Sequence, residues 1–182
     1  MARTDGGRRG GRAFPLALLI LLAAAGAGAV EDPLAGLEIS GKGLGWGGLR
    51  LGMSFVQAER RAGSTLPLTE RAGARCGSFA AGAEIDGLSL TLGFSGSRPG
   101  DKIETIFVRF EGYQVAASAA DLVASLRSLA PNAVYRPDPT GTWSTEAEDP
   151  APVYFVDAGK ASYAVQLRPR DGILLARRDC VG

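Results

Sequence analysis

Glu146, Glu148 and Asp149 form the closest grouping of side chains that could carry out acid–base chemistry. Paired carboxylates on either side of a cleft hydrolyse glycosidic bonds, and Trp143 and Tyr154 nearby have rings on which a sugar could stack. A general acid, however, needs apolar surroundings that raise its pKa, and this stretch is rich in proline and acidic residues. We therefore interpret the three acids as solvated or as contacts to a partner. An envelope glycan hydrolase is the alternative.

Two further motifs resemble catalytic or cofactor-binding sequences. GFSGS at residues 93–97 approaches the nucleophile elbow, but Ser97 replaces its last glycine. The chain contains no histidine, so no conventional triad can form around Ser95 and the commonest zinc and copper ligand is missing. GLGWGG at residues 43–48 matches G-x-G-x-x-G, yet that fingerprint requires a strand before it and a helix after it. We expect no catalytic residue, no metal and no cofactor.

The first 29 residues predict the compartment. Residues 1–12 contain four arginines and one aspartate, residues 14–25 are uncharged and apolar, and Ala27-Gly28-Ala29 is a small-residue cleavage site. This order is typical of a secretory signal peptide. The apolar run is shorter than the roughly 20 residues of a spanning helix, which favours cleavage over retention as an anchor, and no lipid-bearing cysteine lies at the site. We predict a periplasmic or secreted protein without a stable membrane anchor.

Export makes the two cysteines informative. Cys76 and Cys180 are the only cysteines, and in an oxidising compartment they are expected to form a disulfide. A reactive thiol, the alternative, would need a base or a resolving partner.

The net charge is +1, and removal of the leader's +3 would leave −2. A nearly neutral chain does not predict nucleic-acid binding, and the dipeptides Arg60-Arg61 and Arg177-Arg178 indicate solvated positions.

Residues 30–45 are predicted to be a flexible, glycine-rich arm, and residues 46–182 a single domain. Ser54 and Gln57 have capping-box spacing before a helix over residues 55–62. Residues 79–85 are predicted to be a strand, and Asp86-Gly87 is a two-residue hairpin signal after it. Residues 88–94 and 103–110 place apolar and polar side chains on opposite faces, so three antiparallel strands are predicted.

The order then repeats. Ser118 and Asp121 predict the start of a second helix, and residues 133–136, 153–156, 162–167 and 173–176 predict strands. The expected fold is α+β, with helices packed on antiparallel sheet in two similarly ordered helix-then-strands halves, residues 46–112 and 113–182. The proline-containing loop at residues 137–152 is long for a simple connection.

Residues 47–63, GGLRLGMSFVQAERRAG, resemble the opening of small exported bacterial modules of the outer-membrane assembly lipoprotein and beta-lactamase-inhibitor type. In these modules a G-M-S/T turn caps a short helix that ends in glycine. The resemblance implies a helical layer on an antiparallel sheet whose face or loops bind another protein. We therefore predict a non-enzymatic protein that binds a protein or cell-wall component, with Trp143 and Tyr154 as anchors or, equally, as caps of the core.

Overall fold

The computed structural model describes residues 32, 34–110, 118–131, 135–138, 153–158, 160–168 and 171–181. They form two helices, α1 (Phe55–Ala62) and α2 (Ala119–Leu129), and a 3-10 turn (Arg178–Cys180). The strands are β1 (Leu37–Ser40), β2 (Gly43–Trp46), β3 (Leu49–Arg50), β4 (Thr69–Glu70), β5 (Phe79–Ile85), β6 (Leu88–Phe94), β7 (Ile103–Arg109), β8 (Tyr135–Asp138), β9 (Val153–Ala158), β10 (Ala161–Arg168) and β11 (Gly172–Arg177). The predicted α+β class is confirmed, and the sheet predominates.

The strands form one large and one small sheet. The large sheet has the order β4-β5-β6-β7-β11-β10-β9-β8, and the small sheet has the order β1-β2-β3. Every pairing between these strands is antiparallel. At the centre of the large sheet β7 pairs with β11, so that Ile106 lies opposite Leu175 and Val108 opposite Ile173. This pairing joins strands that are more than 60 residues apart in the sequence.

One face of the large sheet, the inner face, carries most of the hydrophobic core. Alternation places every second side chain of a strand on the same face, and Leu90, Leu92, Ile106, Val108 and Leu175 are all almost fully buried on this face. The bounds of β5, β6 and β7 were predicted from the sequence to within one residue. The hydrophobic effect therefore selects both the strands and the face that they bury.

The loop before β5 is fastened to the sheet at a β-bulge. Gly93 pairs with Thr105 and Phe94 with Ile103, which leaves Glu104 as an extra residue in β7. A bulge changes the direction of a strand and its side chains, and here the Glu104 carboxylate accepts a 2.9 Å hydrogen bond from the backbone N–H of Gly77. The neighbour of Gly77, Cys76, is thereby held beside the sheet.

The disulfide predicted from the sequence is present. The sulfur atoms of Cys76 and Cys180 are bonded, with Cα atoms 5.5 Å apart and a sequence separation of 104. Cys180 lies in the 3-10 turn that follows the central strand β11. The bond therefore joins the loop before β5 to the 3-10 turn after β11. Among the described residues, no helix has the length and apolar character needed to cross a membrane.

Helix α1 begins and ends where the sequence predicted. The Gln57 side chain accepts a hydrogen bond from the Ser54 backbone N–H at 2.9 Å, and the Ser54 hydroxyl accepts one from the Gln57 N–H at 3.4 Å. The helix ends at Gly63, whose φ of 68° is in the left-handed region. Phe55 contacts Phe94 edge to face, with ring centroids 5.2 Å apart. The short helix is thus anchored to the inner face at the end of β6.

Helix α2 has the same kind of N-terminus. The Asp121 carboxylate accepts hydrogen bonds from the Ser118 backbone N–H at 2.8 Å and from the Ser118 hydroxyl at 2.7 Å. The backbone bond, and next to it the hydroxyl, hold the pKa of Asp121 below its usual value. The apolar side of the helix buries Leu122 and Leu126 in the core.

Asp121→Asn is therefore expected to destabilise the protein at neutral pH and to have no effect in strong acid. A carboxyl whose pKa is lower in the folded state stabilises that state above its unfolded pKa, about 3.9. The contribution is lost as the pH falls through the lower folded value. Urea unfolding of both proteins at pH 6 and near pH 2 checks this. An equal difference in midpoint at both pH values would contradict the ionic origin of the effect.

The N-terminal part of the domain differs from the prediction. Residues 37–46, most of which lie in the predicted flexible arm 30–45, form β1 and β2, and with β3 they make the small sheet. Leu37, Leu44 and Trp46 are buried in the main core. Gly36 makes this packing feasible, because a Cβ there would lie 2.3 Å from the Trp46 ring. Glycine, interpreted as a sign of flexibility, here permits close packing.

The edge strands also differ from the prediction. The structure adds β4, a pair of residues too short to show alternation, and it places β8 at Tyr135–Asp138 where residues 133–136 were predicted. Residues 137 and 138 were predicted to belong to the loop at residues 137–152, and Pro137 has no N–H to donate to a ladder. Of the strands that the structure describes, β9 alone pairs with β8. An edge strand tolerates proline because one side of it needs no partner.

Candidate functional site

The second face of the large sheet, the outer face, is accessible at its centre. Cross-strand pairing places Thr91, Phe107, Leu174 and Gln166 in one row across β6, β7, β11 and β10. The first three are half-buried, whereas the neighbouring inner-face side chains of these strands are almost fully buried. Because Phe107 is half-buried in the middle of the large sheet, a ligand can contact its ring and cover it.

Two arginines flank Phe107. Arg109 and Arg168 both lie opposite Gly172, one on each neighbouring strand. The guanidinium carbon of Arg109 lies 6.0 Å from the centroid of the Phe107 ring, and that of Arg168 lies 5.8 Å from it. A guanidinium at this distance is attracted by the π-electrons of the ring. The three side chains form the centre of the outer face.

Gly172 is required between these arginines. Its φ is 151°, and a Cβ at this position would lie 1.9 Å from the carbonyl oxygen of Val108. A side chain would force β11 away from β7. The glycine therefore permits the close approach of β11 to β7, the strand that carries Phe107 and Arg109.

Gln166 holds Arg168 in position. The Oε1 atom of Gln166 accepts a hydrogen bond from Nε of Arg168 at 3.1 Å. Gln166 is only 3% exposed and is the buried polar side chain of the described core. A buried amide must be hydrogen-bonded, so this contact restricts both side chains. Arg168 is therefore pre-positioned, with further N–H groups available to a ligand.

A second cation and aromatic pair lies on the same face. The guanidinium carbon of Arg178 is 5.0 Å from the Phe155 ring centroid. Phe155 lies opposite Ala164 and is half-buried. Arg178 was expected to be simply solvated, and although it is exposed, its side chain covers an aromatic ring. The outer face therefore combines apolar area with hydrogen-bond donors at two places.

This arrangement is suited to binding. Phenylalanine supplies apolar contact area, and guanidinium groups form planar, paired hydrogen bonds to carboxylates and other oxygen acceptors.

Among the described residues there is no group of three or more metal-ligating side chains. The hydroxyl of Ser95 accepts a 3.0 Å hydrogen bond from the Lys102 backbone N–H. Ser95 therefore helps to hold the β6–β7 loop.

The residues predicted to form a site are dispersed. Tyr154 is half-buried, lies opposite Val165 and packs against the core, so it belongs to the inner face. Its role as an anchor for a partner stays a prediction. The other predicted contacts lie outside the described residues, and they are Trp143, Glu146, Glu148 and Asp149. The glycine motif at residues 43–48 forms a strand and a turn that lead into another strand, β3.

The sequence did not indicate Phe107, Arg168 and Arg178 as site residues. Phe107 could have been recognised from the sequence, because it is a large apolar residue on the face of β7 opposite to the buried Ile106 and Val108. The partner arginines come from β10 and the 3-10 turn, and only the sheet order brings them together. Comparison of the chain with protein-family models, with curated proteins and with solved structures gives no match.

Proposed function

We propose that this chain is a non-enzymatic exported protein that binds a protein or a cell-envelope component through the outer face of its large sheet. The observation that carries the proposal is the Phe107 ring between Arg109 and Arg168. Aromatic residues and arginine are enriched at protein interfaces, and they often contribute most of the binding energy. The long segment at residues 137–152, with Trp143 and the three acids, would add contacts.

Export to the periplasm or outside the cell is part of the proposal. The disulfide supports it, because such bonds persist in oxidising compartments and are rare in reducing ones. The residues proposed as a cleaved signal peptide, 1–29, lie outside the described residues. The resemblance of residues 47–63 to exported binding modules adds a second, independent reason for it. In the structure these residues are the turn into β3, the cap and helix α1.

We also propose that the chain contains two similarly ordered units. Helix α1 precedes β4 to β7, and helix α2 precedes β8 to β11. The order β4-β5-β6-β7-β11-β10-β9-β8 supports this division, since each unit forms one half of the sheet and the last strands of both meet at the centre. Both helices begin with a serine capping box. In this proposal the binding surface spans the junction of the two units.

Arg168→Glu tests the proposed surface. The reversed charge removes a donor from the centre of the outer face, so the variant is expected to lose a partner captured from an envelope fraction by the unchanged protein. Loss of a central interface residue reduces affinity by about 2 kcal/mol or more, roughly thirtyfold. Capture is measured by quantitative mass spectrometry. Arg127→Glu, on the exposed side of α2, is the matched control with the same change in charge.

Equal capture by both variants, or loss with both, would refute the outer face as the binding surface. A third variant addresses the hydrolase alternative. Replacement of Glu146, Glu148 and Asp149 by their amides is expected to leave a binding protein able to capture its partner, because the central contacts of the outer face are retained. Glycan cleavage by the unchanged protein that disappears in this variant would establish the hydrolase and end the binding proposal.

A further inference from the structure

A cleft of about 660 Å³ lies at the end of the large sheet where β10 begins and β11 ends. Leu51 and Tyr163 supply apolar lining, and Ser162 supplies a hydroxyl. Its volume falls within the range of about 300–1,000 Å³ that is typical of small-molecule sites. Phe107 and the two arginines beside it do not line the cleft, whereas Arg178 belongs both to the cleft and to the outer face.

The lining of the cleft is cationic. Among the described residues it contains Lys160, Arg177 and Arg178 and a single acid, Asp179. The Ser162 hydroxyl donates a hydrogen bond to Asp157, which does not itself line the cleft. Even with Asp157 included, positive charges outnumber negative charges among the described residues around the cleft. Grouped charges of one sign raise the local concentration of ligands of the opposite sign.

Two of the cations are oriented by neighbouring side chains. Arg177 forms a forked pair with Asp179, through Nε to Oδ1 at 3.1 Å and through Nη2 to Oδ2 at 2.5 Å. The face of the Arg178 guanidinium is occupied by the Phe155 ring. Because a guanidinium has five N–H donors in its plane, both arginines retain donors for a ligand. Lys160 at the start of β10 adds a third charge, which is exposed.

We infer that this cleft binds a small organic anion whose charged group is a phosphate or a carboxylate. The cations would contact the anionic group, and Leu51 and Tyr163 would contact the organic part of the same molecule. Phosphate and carboxylate both present a pair of oxygen atoms that can accept two parallel hydrogen bonds from a guanidinium group. The inference goes beyond binding at the outer face and does not depend on it.

NMR titration of the disulfide-bonded protein with phenyl phosphate and, separately, with succinate tests the inference. We expect saturable changes in the amide signals of residues 160–163 and 177–179, and no such changes with the uncharged benzyl alcohol. Saturation by phenyl phosphate alone assigns a phosphate ligand, saturation by succinate alone assigns a carboxylate, and saturation by both supports a general oxoanion site. Saturation by neither would refute the inference.

Two substitutions with opposite expected effects identify the cleft as the site. Lys160→Gln removes a cation and should weaken binding about tenfold, as expected for loss of a charge contact of about 1.4 kcal/mol near the surface. Asp179→Asn removes the acid, frees Arg177 and should tighten binding severalfold. The broken ion pair is exposed, with side chains 47% and 62% accessible, so the fold does not depend on it.

Arg127→Gln on α2 changes the net charge by the same amount as Lys160→Gln, and Arg127 does not line the cleft. It is expected to bind the probe as tightly as the unchanged protein. Equal weakening by Lys160→Gln and Arg127→Gln would show non-specific attraction and overturn the inference. Since these positions lie apart from Phe107 and Arg168, the result is independent of whether the outer face binds a partner.

Discussion

Replacement of both Cys76 and Cys180 by serine is expected to lower the free energy of unfolding by several kcal/mol, up to about 4.7 kcal/mol for a closed loop of roughly 100 residues. The bond stabilises the protein because it restricts the unfolded chain, in which the two ends of this long loop would otherwise separate. It also keeps the 3-10 turn, with Arg178 beside the Phe155 ring, next to the loop before β5. Both effects are lost in the variant.

Guanidinium-chloride unfolding in the presence and absence of a reductant measures this effect. The reductant should lower the midpoint of the unchanged protein to that of the variant and leave the variant unaffected. Serine is tolerated at both positions, since both are half-buried. Coincident unfolding curves for the oxidised protein and the variant would contradict the prediction.

Trp46→Ala is expected to destabilise the protein by about 3–5 kcal/mol, the range for removal of a large aromatic side chain from a core. Trp46 is 1% exposed, and its ring covers Gly36 at the start of β1. Its loss would leave a cavity between the small sheet and the rest of the core. The same unfolding measurement detects it, as a lower midpoint.

Trp46→Phe is the control, because it retains an aromatic ring and should cost less than the alanine variant. Lys42→Ala, in the exposed turn between β1 and β2, should leave stability within about 0.5 kcal/mol of the original. If Trp46→Ala lowers the free energy of unfolding no more than Lys42→Ala does, the prediction is wrong. Residues 37–46 would then be a flexible arm, and the small sheet would not be part of the cooperative core.

Local patterns in the sequence predicted most of the individual elements. Ser54 and Gln57 predicted the start of α1, and Asp86-Gly87 together with the alternation of residues 88–94 predicted the first hairpin. These signals act over a few residues, and they are therefore visible without tertiary structure. Strands β1 and β2 were missed because glycine was interpreted as flexibility, whereas Gly36 permits the contact of the Trp46 ring with the backbone.

The candidate site could not be predicted in the same way. Phe107, Arg168 and Arg178 are distant in the sequence and come together because β7 pairs with β11, and β11 with β10. Apolar alternation says which face a strand buries, but it does not say which strand is its neighbour. The acidic segment has a conspicuous composition, whereas the outer-face residues are single positions without a surrounding motif.

The edges of the large sheet bear on how the protein behaves at high concentration. An exposed edge strand offers unpaired backbone groups to another chain, and long regular edges lead to aggregation. Among the described strands, one edge of the large sheet is β4, only two residues long, and the other is β8, in which Pro137 has no backbone N–H to donate. Neither edge is a good template for strand addition. The protein can thus display a broad, partly apolar sheet face while its borders resist fibril-like growth.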